Sequence, residues 1–395
     1  MPKRMLFYLI LTALILCTSE SIAQNEQWLQ YHSARDVSLV GFITNTKSLE
    51  IIEENPADVK LPEFKGKNPL FAEWQTPMVE SGFLWIALDK TKENGIHDNL
   101  YIDSNADGNL DDETAITPYR ITQSNVYFGP VKVVFEIEDG PVSYHLNFRF
   151  YSSNNNNRRL YVSAGGWYQG EVTINGQKKQ CVLFDYNING AFNDKAISAQ
   201  DSDRIRISET NDPRDTRFVG NYIEIAGSLY QPEIAQDGAC IKLEEAKDVK
   251  HGSIRLHESV TELSAGGING SFIIKPEKGL ASLPVGKYQI NDWIIERKDD
   301  KDTQWKLTGI HGGSSLKGAF DISEDKETEL TVGEPVVANI DAQYRDGSYY
   351  FNQNLRGRDD ESITLLRNGS RPQAPKLNIK SEDGKYDRTY SFSYG

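Results

Sequence analysis

The chain has 395 residues, enough for two or three domains of ordinary size. Its 57 acidic against 43 basic side chains give a formal charge of −14. That surface repels phosphate backbones and anionic lipid, which sets nucleic acid aside as a partner and favours cations.

The chain opens on the basic stretch Met1-Pro2-Lys3-Arg4, followed by an apolar run from Met5 to Cys17 and by small residues at Ser21 and Ala23. This is the order of a secretory signal: charged start, apolar centre, small-residue cleavage site. The run is too short for a spanning helix, which needs roughly 20 residues. Residues 1–23 therefore read as a signal peptide cut after Ala23. The expected localisation is secreted, periplasmic or extracellular, without membrane insertion after cleavage.

Beyond the signal, apolar and polar residues alternate with period two over stretches such as Tyr144 to Phe150 and Glu329 to Val332, and Gly, Asn and Asp punctuate them. Short helices are expected only around Asp58 and Glu244. The predicted fold class is all-β with minor helices, built as several domains of β-sandwich type. Residues 24–130 hold Trp28, Trp74, Trp85 and a first Asp-rich loop, 103–114. Residues 131–250 hold a hairpin turning at Asn154 to Asn157, a second Asx-rich loop at 185–196, and the cysteines Cys181 and Cys240. An oxidising compartment permits a disulfide between these two; buried thiols in strand cores are the alternative. Residues 251–340 contain a turn and strand from Leu283 to Ile290 and a charged turn, Lys298 to Asp302, flanked by Trp293 and Trp305. Residues 341–395 form a hairpin segment with Asp383-Gly384 at its turn.

The two Asx-rich loops carry the chemistry. Asp103, Asn105, Asp107, Gly108, Asn109, Leu110 and Asp111 align with Asp185, Asn187, Asn189, Gly190, Ala191, Phe192 and Asn193. Each is an apolar strand followed by D-x-N-x-D/N-G, and the two are duplicated units or two uses of one loop solution. Calcium takes six to eight hard oxygens, and side chains at positions 1, 3 and 5 can converge on it as the backbone curls. Position 7, Asn109 or Ala191, would give its carbonyl; position 9 would be Asp111 in the first loop and Asn193 or Asp194 in the second. In the first loop Asp103, Asp107, Asp111, Asp112 and Glu113 crowd together with no Lys or Arg among them, and crowded carboxylates repel without a cation or proton. The competing reading is a solvated turn, since Asp-Gly and Asn-Gly are hairpin signals.

The first loop resembles the calcium loops of EF-hand, dockerin and thrombospondin type 3 proteins. Position 12 is Thr114 where an EF-hand has its bidentate acid, and a strand precedes the loop, so the resemblance implies a calcium loop in a β setting. Asp98 is a candidate to complete the shell. The run from Leu283 to Pro335 resembles the immunoglobulin-like or fibronectin-like sandwiches of secreted bacterial proteins. Gly82 to Asp112, and the run G-x-V-x-I-x-G through Phe184-Asp185 that starts at Gly170, are similar to secreted bacterial β-rich proteins with paired loops of this kind.

The six histidines fall in no metal spacing, and His311-Gly312-Gly313-Ser314 stands without a nucleophile elbow. No catalytic residue is assigned. The expected function is a secreted, calcium-binding structural or binding protein. The alternatives are a hydrolase of glycan or peptide with structural calcium and, from the nineteen Tyr, sixteen Phe and six Trp, a glycan binder. The partner is a protein or glycan that the sequence does not identify.

Overall fold

The computed structural model describes residues 26–393 apart from 42–44, 94, 139, 155–156, 210–211 and 312–317. Residues 1–23, which the sequence reads as a signal peptide, lie outside the described residues. The described residues are all-β, with thirty strands and two short 3-10 helices, Val37–Val40 and Pro213–Asp215, among them. Neither helix falls where one was expected. Asp58 lies in a turn, and Glu244 lies in strand Cys240–Glu245. There Ile241 packs into the core while Glu244 faces out, and pairing with Ser228–Ile234 overrides the helix propensity of the Glu-rich stretch.

The chain divides into two compact units, one of residues 1–196 and 200–247, the other of 197–199 and 248–395. In the first, the hairpins Asn125–Ile137, Gly140–Asn154 and Asn157–Ala164 form the middle of a five-stranded sheet edged by Lys47–Leu49 and Arg120–Ile121. Along Asn125–Ile137 the side chains of Val126, Phe128, Val131, Val133 and Phe135 are buried. The alternation slips by a bulge between Phe128 and Val131, which keeps both flanks facing inward. A second five-stranded sheet runs Thr216–Phe218, Arg204–Ser208, Gln177–Phe184, Gly166–Ile174, Gln30–Ser33. A four-stranded sheet carries Cys240–Glu245 at its centre, and a three-stranded one runs Leu70–Gln75, Phe83–Asp89, Asn99–Ile102. One core, from Leu29 to Ile241, draws on all four sheets and on both sides of residue 130. Its fully buried aromatics include Trp74, Phe135, Tyr144, Phe148 and Phe192, each contributing about 1.5–3 kcal/mol of burial. Cys181 and Cys240 are free thiols in different sheets: Cys181 sits mid-strand opposite Gly170 and Ile207, Cys240 opposite Trp28.

The second unit is built on an eight-stranded sheet. Its long strand Gly286–Lys298 pairs with Glu262–Gly267 on one side and Gln304–Ile310 on the other. A three-stranded sheet places His251–Arg255 between Leu280–Pro284 and Glu327–Glu329, the latter parallel to it. Trp293 is fully buried because Gly309 opposite has no side chain; a Cβ there would lie 2.2 Å from the indole. The indole N–H donates to Glu361 Oε1 at 2.8 Å. The C-terminal strands Lys376–Lys380 and Asp387–Ser391 pair only with each other.

Candidate functional site

Both Asx-rich loops leave the inner end of a core strand, and both fold by the same local rules. Asp103 follows strand Asn99–Ile102, and its backbone N–H donates to the Trp85 carbonyl at 3.0 Å. Its carboxylate accepts the N–H of Asp107 at 3.0 Å and of Gly108 at 2.9 Å. Asp107 Oδ1 in turn accepts the N–H of Asn109 at 2.8 Å. Ala106 and Gly108 take left-handed backbone at φ 60° and 83°. The second loop repeats this at the same offsets. Asp185 accepts from Asn189 and Gly190, Asn189 Oδ1 accepts from Ala191 at 2.9 Å, and Ile188 and Gly190 have φ 56° and 90°. An aspartate at position 1 gathers the amides of positions 5 and 6, which bends the chain into a tight curl, and the left-handed residue at position 6 is glycine in both.

The surroundings of the two loops differ. In the first, Asp103 is buried, and Leu110 anchors the far side, donating its N–H to Lys60 at 2.9 Å. Asn105, Asp107 and Asp111 are exposed, and Asn109 is half-buried. Burial raises the Asp103 pKa, and the charges of Asp107 and Glu113 raise it further against the pull of the two amides. Glu113 is tied to Ser104, and Asn105 donates to Asp112. Asp98 takes no part: it caps the other end of the strand, accepting from the Thr91 N–H at 2.7 Å and hydroxyl at 2.6 Å.

The second loop is drawn into the core. Asp185 is fully buried and also accepts from the Tyr144 hydroxyl at 2.8 Å. Tyr144 stacks on Trp74, with centroids 5.7 Å apart and planes 10° apart, and the Trp74 indole donates to the Ile188 carbonyl at 2.9 Å. Asn187 and Asn189 both give an amide N–H to Asp194 Oδ2, at 2.9 and 2.8 Å. Asp203, fully buried, accepts the N–H of Tyr186 at 3.1 Å and of Asp194 at 2.9 Å. Three carboxyls, Asp185, Asp194 and Asp203, thus share one site. Burial above all raises the pKa of Asp185, to about 6, and the charge of Asp194 adds to it. Asp203 is pushed well above its ordinary value by burial and by both neighbouring carboxyls. Asn187 is buried, and its Oδ1 has no hydrogen-bond partner among the described residues.

Asp103, Asn105, Asp107, Asp185, Asn187 and Asn189 all lie in the two curls, where Asp103, Asn105, Asp107, Asp185 and Asn189 accept the loops' own amides. Asn193 is turned aside, donating to the Ile234 carbonyl at 3.4 Å, and Asp194 stands at the centre of the second loop instead. Asp203 was not anticipated. It arrives through strand register, since Arg204 pairs with Phe184 and sets the residue before one beside the residue after the other. Among the described residues, no group of three or more His, Cys, Asp or Glu side chains is arranged to hold a metal ion. What the second loop offers a cation is a buried excess of negative charge and one amide oxygen without a partner.

Elsewhere, His311 Nε2 lies 3.1 Å from Asp359 Oδ2 in the second unit, and the Gly312 to Ser314 segment beside it lies outside the described residues. A cleft of about 750 Å³ on the same unit is lined by Tyr349, Phe351, Leu377, Ile379, Tyr386 and Tyr390. The chain matches no protein-family model, no curated protein and no solved structure.

Proposed function

We propose that this is an exported structural or binding protein whose two D-x-N-x-D/N-G loops take up calcium, the second holding it more firmly. The observation that supports this best is the second loop: Asp185 and Asp203 are buried, the half-buried Asp194 raises the pKa of both by its charge, and the buried Asn187 amide oxygen has no hydrogen-bond partner among the described residues. Buried carboxyls of one sign either stay protonated or take a cation, and all-oxygen donors favour a hard ion such as calcium. Asp185, Asn187, Asn189 and Asp194 would hold it there; Asp103, Asn105, Asp107 and Asp111 would hold a second ion on the exposed loop. The ion would fix two strand ends and their loops and carry no reaction step. Export is supported by the signal-like residues 1–23. Comparing melting curves of the mature chain in excess EDTA and in millimolar calcium tests the reading. A ligand at a hundred times its Kd adds about 2.7 kcal/mol, so the calcium curve should shift upward by several degrees. Superimposable curves would remove calcium from the account.

A second reading, glycan binding, is favoured by the Tyr-lined cleft on the second unit, where Tyr349, Tyr386 and Tyr390 are exposed. Binding to a glycan array that is lost on replacing Tyr386 and Tyr390 by alanine would establish it. The hydrolase reading has less support, because the carboxyls whose protonation the fold raises, Asp103, Asp185, Asp203 and Asp292, line neither this cleft, nor one of about 420 Å³ lined by Leu49, Glu73 and Trp74, nor one of about 220 Å³ lined by His97, Phe150 and Arg158.

A further inference from the structure

Strand Val337–Arg345 ends the eight-stranded sheet. Ser348–Arg356 pairs with one side of it, and among the described residues no strand pairs with the other. All nine of its residues are exposed, the small Ala338 and Ala342 included, so its faces and outer edge have room for another chain. Sheets commonly blunt an edge of this length with lysine, proline or a bulge. This one carries no lysine or proline, and its register from Val337↔Arg356 to Arg345↔Ser348 runs without a shift. It is a regular strand with one side of its backbone unused.

The turn fixes which residues offer that backbone. Asp346 and Gly347, at φ 50° and 78°, make a two-residue turn, which closes on a hydrogen-bonded pair, Arg345 with Ser348. Bonded and non-bonded pairs alternate from there, so Ala338, Ile340, Ala342 and Tyr344 turn their N–H and C=O outward. The side chains of the same four residues share one face, which is apolar, while Asn339, Asp341, Gln343 and Arg345 share the other. Ile340 and Tyr344 are 56% and 64% exposed, and Tyr344 lies against Tyr349 with ring centroids 4.9 Å apart. On the polar face Arg345 Nη2 donates to Gln343 Oε1 at 2.6 Å.

We propose that a second copy of this chain docks here, the two Val337–Arg345 strands pairing antiparallel about a two-fold axis at Ala342. The strand is complementary to itself in that register. Ile340 falls opposite Tyr344 of the second copy, which covers both exposed side chains. Asp341 falls opposite Gln343, whose oxygen is taken by Arg345 and whose nitrogen is a donor, and lies diagonal to Arg345 itself. Asn339 falls opposite Arg345. No like charges meet, and the axis repeats each pairing, as an interface between identical patches requires. An axis at Asp341 would instead set two carboxylates face to face. The edge is separate from the calcium loops, and its test does not depend on them.

Sedimentation equilibrium of the mature chain in EDTA should show a reversible equilibrium between monomer and dimer. Asp341→Arg and Arg345→Asp should each weaken the dimer about tenfold, a loss of about 1.4 kcal/mol, and the double exchange should restore it. Restoration separates a lost contact from a misfolded variant. With Ala342→Cys, diamide oxidation should join two chains, because opposed Cα atoms of a bonded pair lie about 5.5 Å apart, within disulfide reach. Ala338→Cys, on the same face but off the axis, should cross-link no more than the wild type. A chain that stays monomeric up to about 100 μM would overturn the proposal. So would a dimer that neither charge reversal weakens, or an Ala342→Cys chain that cross-links no better than Ala338→Cys.

Discussion

The Tyr144 hydroxyl donates to Asp185 Oδ2 across 2.8 Å, and both side chains are fully buried. The bond ties the second loop to the aromatic stack of Tyr144 on Trp74, and Trp74 returns to the loop through the Ile188 carbonyl. Tyr144→Phe keeps the ring and removes one of the hydrogen bonds to a buried carboxylate. The expected cost is about 1–3 kcal/mol, as for other bonds to buried charged groups, measured by urea unfolding in EDTA. Tyr31→Phe removes a hydroxyl that accepts the backbone N–H of His145 at 2.9 Å, a bond to a neutral group, so its cost should be smaller than that of Tyr144→Phe.

The raised pKa values of Asp185 and Asp203 set the sign of a pH dependence. Each carboxyl binds its proton more readily in the folded chain than in the unfolded one. That advantage is present in acid and is lost as pH rises from 3.8 through about 6 for Asp185, and Asp203 is shifted in the same direction by burial. His97 acts the other way over nearly the same range, because burial lowers its pKa from 6.5 to about 4 and acid must charge it. Subtracting the melting temperature of Asp185→Asn from that of the wild type at each pH cancels the histidine. In EDTA that difference should fall as pH rises from 3.8 through about 6. In calcium the fall should vanish, because the ion takes over the role of the proton. A difference that rises with pH in EDTA would contradict the carboxyl assignment.

Asp194 and Asp107 separate the two loops. Asp194 receives both Asn187 and Asn189, whereas Asp107 is exposed and bonds only within its own curl. Asp194→Ala should abolish most of the stabilisation that calcium confers, and Asp107→Ala a small part of it. Isothermal titration should then show one calcium lost in each variant and none bound in the double variant. Equal thermal effects from the two single changes would mean that burial does not rank the loops.

Much of the fold was legible because its signals are local. Alternation from Tyr144 to Phe150 places Tyr144, Leu146, Phe148 and Phe150 inward, and Asp383-Gly384 turns the hairpin between Lys376–Lys380 and Asp387–Ser391. The curls were legible for the same reason, since an aspartate that gathers amides four and five residues on needs nothing from elsewhere in the chain. Asp203 was not legible, because it reaches Asp185 only through the pairing of Gln177–Phe184 with Arg204–Ser208. The sequence shows more acids in the first loop than in the second, and the preference proposed for the second rests on burial instead, because charge crowded at a surface is screened by water while a pair in the core is not. Glu244 misled through composition: a Glu-rich stretch has helix propensity, and the neighbouring strand decided otherwise.

Gly108 and Gly190 hold the same backbone position in the two curls, at φ 83° and 90°, and provide the most direct comparison between them. A Cβ at Gly108 would meet nothing within 4 Å, so Gly108→Ala carries only the left-handed backbone strain, about 1–2 kcal/mol. A Cβ at Gly190 would lie 3.2 Å from Met78 and from Thr76 Oγ1 and 3.3 Å from Phe135, all in or against the core. Gly190→Ala therefore adds overpacking to the same strain, another 1–3 kcal/mol by the usual range of about that size. Urea unfolding in EDTA should rank Gly190→Ala well below Gly108→Ala. The ion should offset neither change fully, because the strain lies in the curl and not in its charge. Equal losses would show that the second loop is as loosely held as the first, and that the buried carboxyl site is less rigid than its hydrogen bonds imply.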